Sequence, residues 1–128
     1  QILNDKAPII YDSGKQTRCF TYIDDVIDGI LKASSYENAI SEIINLGSST
    51  ENSIYDVINL INKYAKKKLT PINIETKDKY GSSYEDIIRR VPDVSKAKSL
   101  LDWEAKTALK DGIKLSIDWS LKNKWWLD

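Results

Sequence analysis

The sequence has no histidine, no methionine, one cysteine, one phenylalanine, three prolines and five glycines in 128 residues. Each shortage excludes a chemistry. Without histidine there is no imidazole general base, no Ser-His-Asp triad and no histidine metal ligand. A single cysteine excludes an internal disulfide and a cysteine-based zinc site. The glycines, Gly14, Gly29, Gly47, Gly81 and Gly112, are too widely spaced for a dinucleotide fingerprint or a P-loop. A nucleotide cofactor would therefore find its phosphate cradle outside these residues. An excess of one charge is also missing. The 19 basic and 19 acidic side chains cancel, which argues against binding nucleic acid or a membrane surface. No apolar run approaches the roughly 20 residues of a membrane span. No signal-peptide pattern is present, and the expected location is cytoplasmic. The chain opens on Gln1 and lacks methionine, so it reads as a piece of a longer chain or a processed product.

What is present is globular. Hydrophobic residues make up 41% and charged residues 30%, enough for one domain over 1–128 with a modest core. Ala7 to Tyr11 is a short apolar run with a proline near its start and reads as extended. Asp12-Ser13-Gly14-Lys15 is a turn. Thr17 to Ile23 alternates polar and aromatic residues and predicts a strand. Asp24 or Asp25 then caps a helix to about Ser34, with Val26, Ile27, Ile30, Leu31 and Ala33 facing the core. Glu42 to Leu46 predicts a compact strand ending at Gly47. The polar loop 48–53 feeds a helix from about Ile54 to Lys67, with Ile54, Val57, Ile58, Ile61, Tyr64 and Ala65 on one face. Pro71 to Ile74 is another strand, and Glu75 to Asp86 a charged, mobile loop. Pro92 to Ser95 starts a short helix through Leu101. Thr107 caps a last helix, whose Leu109, Ile113, Ile117, Leu121 and Trp125 form a core stripe with Leu115 and Trp119 beside it. The sum is a helix-rich α/β fold with short strands.

Arginine is the informative residue. Sixteen lysines stand against three arginines, Arg18, Arg89 and Arg90. A guanidinium fork binds phosphate or carboxylate in bidentate fashion, and an ammonium does not. Two such sites converging would clamp a diphosphate; alternatively, Arg18 and Arg90 make ordinary salt bridges to acids such as Asp24 or Asp93. The loop before Ile54 has two readings that are compatible. Ser53 is a plain N-cap, and the free amides and helix dipole there favour an anion. The spacing Tyr-x-x-x-Lys, which can serve proton transfer, occurs at Tyr11/Lys15 and Tyr64/Lys68. With this many tyrosines and lysines, about one match is expected by chance, and neither pair reads as catalytic. Asp24 and Asp25 are adjacent, point apart and read as caps. Trp103 and Trp119 read as core, Trp125 and Trp126 as partly exposed chain-end residues, and Cys19 as a small buried residue.

Three strings in order carry a resemblance. Residues 8–26, Pro-Ile-Ile-Tyr-Asp-Ser-Gly-Lys-Gln-Thr-Arg-Cys-Phe-Thr-Tyr-Ile-Asp-Asp-Val, resemble a segment of the extended short-chain dehydrogenases that act on nucleotide sugars. Ile44-Asn45-Leu46-Gly47 is similar to the family's Asn-Ile-Gly strand. Arg90-Val91-Pro92-Asp93-Val94-Ser95-Lys96-Ala97, followed by Leu100-Leu101-Asp102-Trp103, resembles Arg-x-Pro-Asp-x-Ser-Lys-Ala and Leu-Gly-Trp. The resemblance implies the C-terminal substrate-binding lobe of an NAD-dependent, extended Rossmann-type epimerase, 4,6-dehydratase or decarboxylase, with the NAD-binding part absent. It implies a nucleoside diphosphate sugar as ligand, and a homodimer for the parent enzyme. It assigns substrate binding to Tyr11, Arg18, Ser53 and Arg90, no catalytic residue to this chain, and NAD to the parent alone. A rival reading is a non-catalytic protein-interaction or sugar-binding module derived from the family. The departures are Asp12 where glycine is usual, Cys19 for aspartate, Asp102 for glycine before Trp103, and Glu104-Ala105 without the usual proline. Whether Arg89 or Arg90 completes the clamp stays open, with Arg90 better spaced from Pro92.

Overall fold

The computed structural model describes residues 1–81 and 87–127. Among these residues are five short strands and five α-helices, in the order β1 Ile9–Tyr11, β2 Thr17–Arg18, α1 Ile23–Ser35, β3 Asn52–Ser53, α2 Ile54–Tyr64, β4 Ile72–Ile74, α3 Thr76–Tyr80, β5 Arg89–Arg90, α4 Ser95–Leu101 and α5 Leu109–Lys122. They make two small sheets. In one, β1 runs parallel to β4 with Ile10 opposite Asn73. In the other, β2 lies between an antiparallel β3 and a parallel β5.

The core is in two parts. Ile2, Ile10 and Ile58 form one, joined by Ile54, Tyr55 and Ile61, so that α2 lies on the β1 sheet through the face its periodicity predicts. Ala97, Leu101 and Trp103 form the other, with Ala33, Ile44 and Leu46 around them. Gly29 lets α1 approach: a Cβ there would come within 2.9 Å of the Trp103 ring. Trp103 is core, as its sequence context predicts.

Several expectations are corrected. The strand predicted over 17–23 stops at Arg18, because β3 and β5 each offer only two residues to pair with. Glu42 to Leu46 forms no strand, since none of the described residues supplies a ladder partner. Ile44 and Leu46 still pack around Trp103 while Ile43 is 88% exposed. Within 75–86, Thr76–Tyr80 is helical; the rest of that predicted loop, 82–86, lies outside the described residues. Ile27, Ile30 and Leu31 are exposed. Periodicity finds an apolar face, and α1 has two; the one with Gly29 and Ala33 is taken by the Trp103 cluster. In the α5 stripe Ile117 is buried, but Leu115, Trp119 and Leu121 are exposed. Trp125 lies past the helix end at Asn123, in a terminal 3₁₀ turn. There it stacks edge-to-face with Trp119 and Trp126, ring centres 5.9–6.0 Å apart. Cys19 is half-buried.

The predicted caps also move. Tyr22, not an aspartate, precedes α1, and Ala108 precedes α5, neither with a side-chain cap. Asp25 and Thr107 instead satisfy each other. The Asp25 carboxylate accepts the Thr107 amide at 2.8 Å, the Thr107 hydroxyl at 3.1 Å and the Lys106 amide at 3.2 Å. A first-turn acid on one helix thus anchors the chain entering another.

Among the residues in left-handed backbone are Asp12 at φ 53° and Asp102 at φ 44°. These are the two positions where the pattern that the sequence resembles carries glycine, a residue that reaches this conformation without strain. Asp12 gains something from its side chain: its carboxylate accepts both the amide (2.7 Å) and the hydroxyl of Thr76, fixing the start of α3. Asp102 holds Lys32 only through its backbone carbonyl. Asp102→Gly should therefore raise stability by up to about 1 kcal/mol, because the left-handed strain goes and the Lys32 contact stays. Asp12→Gly should lower it, because the Thr76 bonds go. Denaturant midpoints of the two variants check this; equal shifts would contradict it.

Candidate functional site

The site is built on the turn after β1. Gly14 takes φ 63°, and a Cβ on it would lie 2.7 Å from the Tyr55 ring and 2.8 Å from Ile10. Only glycine fits both the conformation and the space. Its carbonyl accepts the Tyr55 amide and the Gln16 carbonyl accepts the Ile54 amide, each at 3.3 Å. The turn is thereby seated on the start of α2, and β2 begins one residue later.

Ser53 caps α2 as its position predicts. Its hydroxyl accepts the Asp56 amide at 3.1 Å, and the Asp56 carboxylate accepts the Ser53 amide at 2.8 Å, a complete capping box. The Ser53 hydroxyl also donates to that carboxylate at 2.6 Å, and this bond, followed by the one from the Ser53 amide, holds the Asp56 carboxyl below the usual aspartate range. The amides of Ile54, Tyr55 and Asp56 are all engaged, so the helix start offers no free amide there for an anion.

The β3-β2-β5 sheet brings the arginines together. Paired residues in a ladder project from the same side, and successive residues from opposite sides. Arg18 is in register with Arg90 and with Asn52, so these three share one face. Thr17 is in register with Arg89 and with Ser53, which share the other. On that second face lies Glu51. Its carboxylate accepts the Thr17 hydroxyl at 2.8 Å. Arg89 donates Nε to both oxygens at 3.1 Å and Nη2 to Oε1 at 2.7 Å. The Arg89 bonds and then the Thr17 bond hold the Glu51 carboxyl below the ordinary glutamate value, and the same pairing pushes the Arg89 guanidinium up. Cys19 has its thiol raised by burial and then by the nearby Glu51 charge.

Arg89 is thus committed to Glu51. Arg90 is exposed and makes no hydrogen bond or ion pair among the described residues. Arg18 donates Nη1 to the Thr17 carbonyl at 2.8 Å. Tyr11 ends β1 in the other sheet, where Lys79 donates to its hydroxyl and lies 4.8 Å from its ring centre. Beside the arginine sheet is a cavity of about 410 Å³ lined by Phe20, Ser48, Asn52, Thr107, Lys106 and Lys110 among others. The structure therefore joins Arg18 to Arg90, puts Ser53 behind them as a cap, and places Tyr11 on the neighbouring sheet. Glu51 escapes a reading of the sequence because its partners are 34 and 38 residues away. Among the described residues no group of three or more His, Cys, Asp or Glu could hold a metal, and no helix is long and apolar enough to cross a membrane.

A carboxyl whose folded pKa is depressed adds stability above its unfolded pKa, and that contribution is lost as pH falls through the folded value. Wild type should therefore exceed Glu51→Gln in stability near neutrality, and the two should converge below the ordinary glutamate range. Denaturant titrations across pH read this; a gap that persists in acid would argue against the ion pair.

Three comparisons place this geometry in a family. The profile of the GDP-mannose 4,6 dehydratase family matches residues 1–116. An uncharacterized protein of Methanocaldococcus jannaschii is 37% identical over 126 residues, 98% of this chain and 36% of that protein. The UDP-N-acetyl-alpha-D-glucosaminuronate decarboxylase of Bacillus cytotoxicus is 33% identical over 111 residues, 87% of this chain and 34% of the enzyme. The crystal structure of Bacillus cereus UDP-glucuronic acid 4-epimerase with UDP-glucuronic acid and NAD superposes with a TM-score of 0.83 at 34% identity, covering 96% of this chain and 38% of that one. The chain spans little more than a third of the length of these relatives. With the profile matching most of its residues, the chain belongs to the GDP-mannose 4,6 dehydratase family, within the extended short-chain dehydrogenases that include nucleotide-sugar epimerases, dehydratases and decarboxylases.

Proposed function

We propose that this chain holds the diphosphate of a nucleoside diphosphate sugar for an NAD-dependent epimerase, dehydratase or decarboxylase, with Arg18 and Arg90 as the clamp. The observation that carries this reading is the register of Arg18 with Arg90 on the face opposite Glu51. Two guanidinium groups on adjacent strands can each grip a phosphate in bidentate fashion. Lys106 and Lys110 on the neighbouring cavity wall add positive charge at no cost in geometry. Tyr11 borders the nucleoside end, and Ser53 acts through the cap that seats β3. Diphosphate binding remote from the reacting carbon orients the sugar, so its energy serves positioning.

The residues present do not fit NAD. The space beside Gly14 is filled by Tyr55 and Ile10, that beside Gly29 by Trp103 and Leu46, and that beside Gly112 by Tyr22. Gly47 meets Pro92 and Thr21 at 3.5 Å and Gly81 ends α3, so among the described residues no glycine stands at a helix start that could admit a pyrophosphate. We therefore assign the cofactor, and the hydride chemistry it supplies, to the remainder of such an enzyme. A second reading, a non-catalytic interaction module, draws on the exposed apolar face of α1 at Ile23, Ile27, Ile30 and Leu31. Retention of nucleotide-sugar binding by the natural polypeptide separates the two.

Two outcomes are expected. The 128-residue chain should not bind NAD more tightly than about 1 mM, or roughly 4 kcal/mol, by calorimetry; tighter binding would refute this division of roles. In the full natural polypeptide, Arg18→Lys and Arg90→Lys should each weaken UDP-glucuronic acid binding by about 1–3 kcal/mol, the scale of a hydrogen bond to a charged group. Arg89→Lys, which keeps a charge opposite Glu51 but loses the fork, should cost less than either, and NAD affinity should be unchanged in all three. Wild-type substrate affinity in both Arg18→Lys and Arg90→Lys would end the clamp reading.

A further inference from the structure

We propose that Glu51 is a positioning residue for the arginine pair, a carboxylate that ties β5 to β2 and β3 from behind and so sets where Arg90 stands relative to Arg18. The inference rests on the clamp reading above and adds to it a residue that touches no ligand.

The argument begins with the strands. Each strand of this sheet has two residues. Between β2 and β5 the register is one pair of couples, Thr17 with Arg89 and Arg18 with Arg90, with the Thr17 amide donating to the Ile88 carbonyl at 2.9 Å. A ladder this short has few backbone bonds to fix its register. Side chains must add to it, and one does so for all three strands. Glu51 is the residue before β3, it accepts from Thr17 of β2, and it accepts three contacts from Arg89 of β5. The bidentate fork fixes direction as well as distance.

Charge points the same way. Arg89 and Arg90 are consecutive, and Arg18 lies across the ladder from Arg90. Three guanidinium groups on a two-residue ladder repel one another. The Glu51 carboxylate balances Arg89 on its own face. Removing Glu51 would loosen β5 and carry Arg90 away from Arg18.

A competing geometry makes the opposite prediction. If Arg89 were itself a phosphate ligand held back by Glu51, removing the carboxylate would release it and strengthen binding. The sign of the effect decides. In the full natural polypeptide, Glu51→Gln keeps an acceptor for Thr17 but loses the charge. UDP-glucuronic acid affinity, read by calorimetry with NAD present, should fall about tenfold. Glu51→Gln/Arg89→Gln should lose no more than Glu51→Gln alone, because the two side chains act as a unit. The charge-reversed pair Glu51→Arg/Arg89→Glu should recover most of the affinity, which a merely structural loss would not do, and NAD affinity should stay constant throughout. Unchanged or increased substrate affinity in Glu51→Gln would overturn the inference, as would additive losses in the double variant. If Arg18→Lys and Arg90→Lys weaken binding while Glu51→Gln does not, the clamp stands and the positioning role falls. If neither arginine variant weakens binding, the clamp reading itself fails.

Discussion

A sheet whose strands are two residues long cannot hold its own register by backbone bonds, and the arrangement around Arg18 depends on the carboxylate that compensates for this. Glu51 meets Thr17 and Arg89 on one face, and the face turned away from it carries Arg18, Arg90 and Asn52. Because the side-chain period of a strand is two, a slip of one residue would exchange Arg90 for Arg89 on the face that carries Arg18. The ion pair is largely exposed and of modest strength by itself. Its importance lies in what it selects, namely which of two adjacent arginines stands beside Arg18.

The same economy governs the approach to that sheet. Gly14 turns the chain with its missing Cβ replaced by the Tyr55 ring and Ile10, and its carbonyl receives the Tyr55 amide. Asp12, two residues earlier, takes a left-handed conformation and converts its side chain into an anchor for Thr76, which is buried. The turn therefore locks onto α2 on one side and α3 on the other, and β2 emerges with little freedom. Ser53 completes the seat through its capping box with Asp56. A residue can matter to a site in this way while its polar groups are fully occupied elsewhere.

The exposed apolar residues have a common position. Ile23, Ile27, Ile30 and Leu31 lie on the outer side of α1, and Ile43 projects from the unpaired segment that follows it. The inner sides of the same elements pack on Trp103. Both α1 and the segment around Ile44 are thus apolar on two sides, the pattern of elements buried between layers. This chain covers 36% and 34% of the length of two relatives that it matches.

The sequence by itself determined the elements whose signals are local. The α2 face, its Ser53 cap, the short helix after Pro92, the strands at Ile9–Tyr11 and Ile72–Ile74, and the family pattern all follow from spacings within a few residues. Reading the caps of α1 and α5 from Asp24, Asp25 and Thr107 failed because Asp25 and Thr107 found each other across 82 residues. Periodicity could mark Leu121 and Trp125 as apolar but not supply a neighbour to cover them. Which of Arg89 and Arg90 shares a face with Arg18, and the pairing of Glu51 with Arg89, were decided only by tertiary structure. Each depends on ladder register and on a contact made across more than thirty residues, and no local pattern encodes which face of a strand a distant carboxylate will occupy.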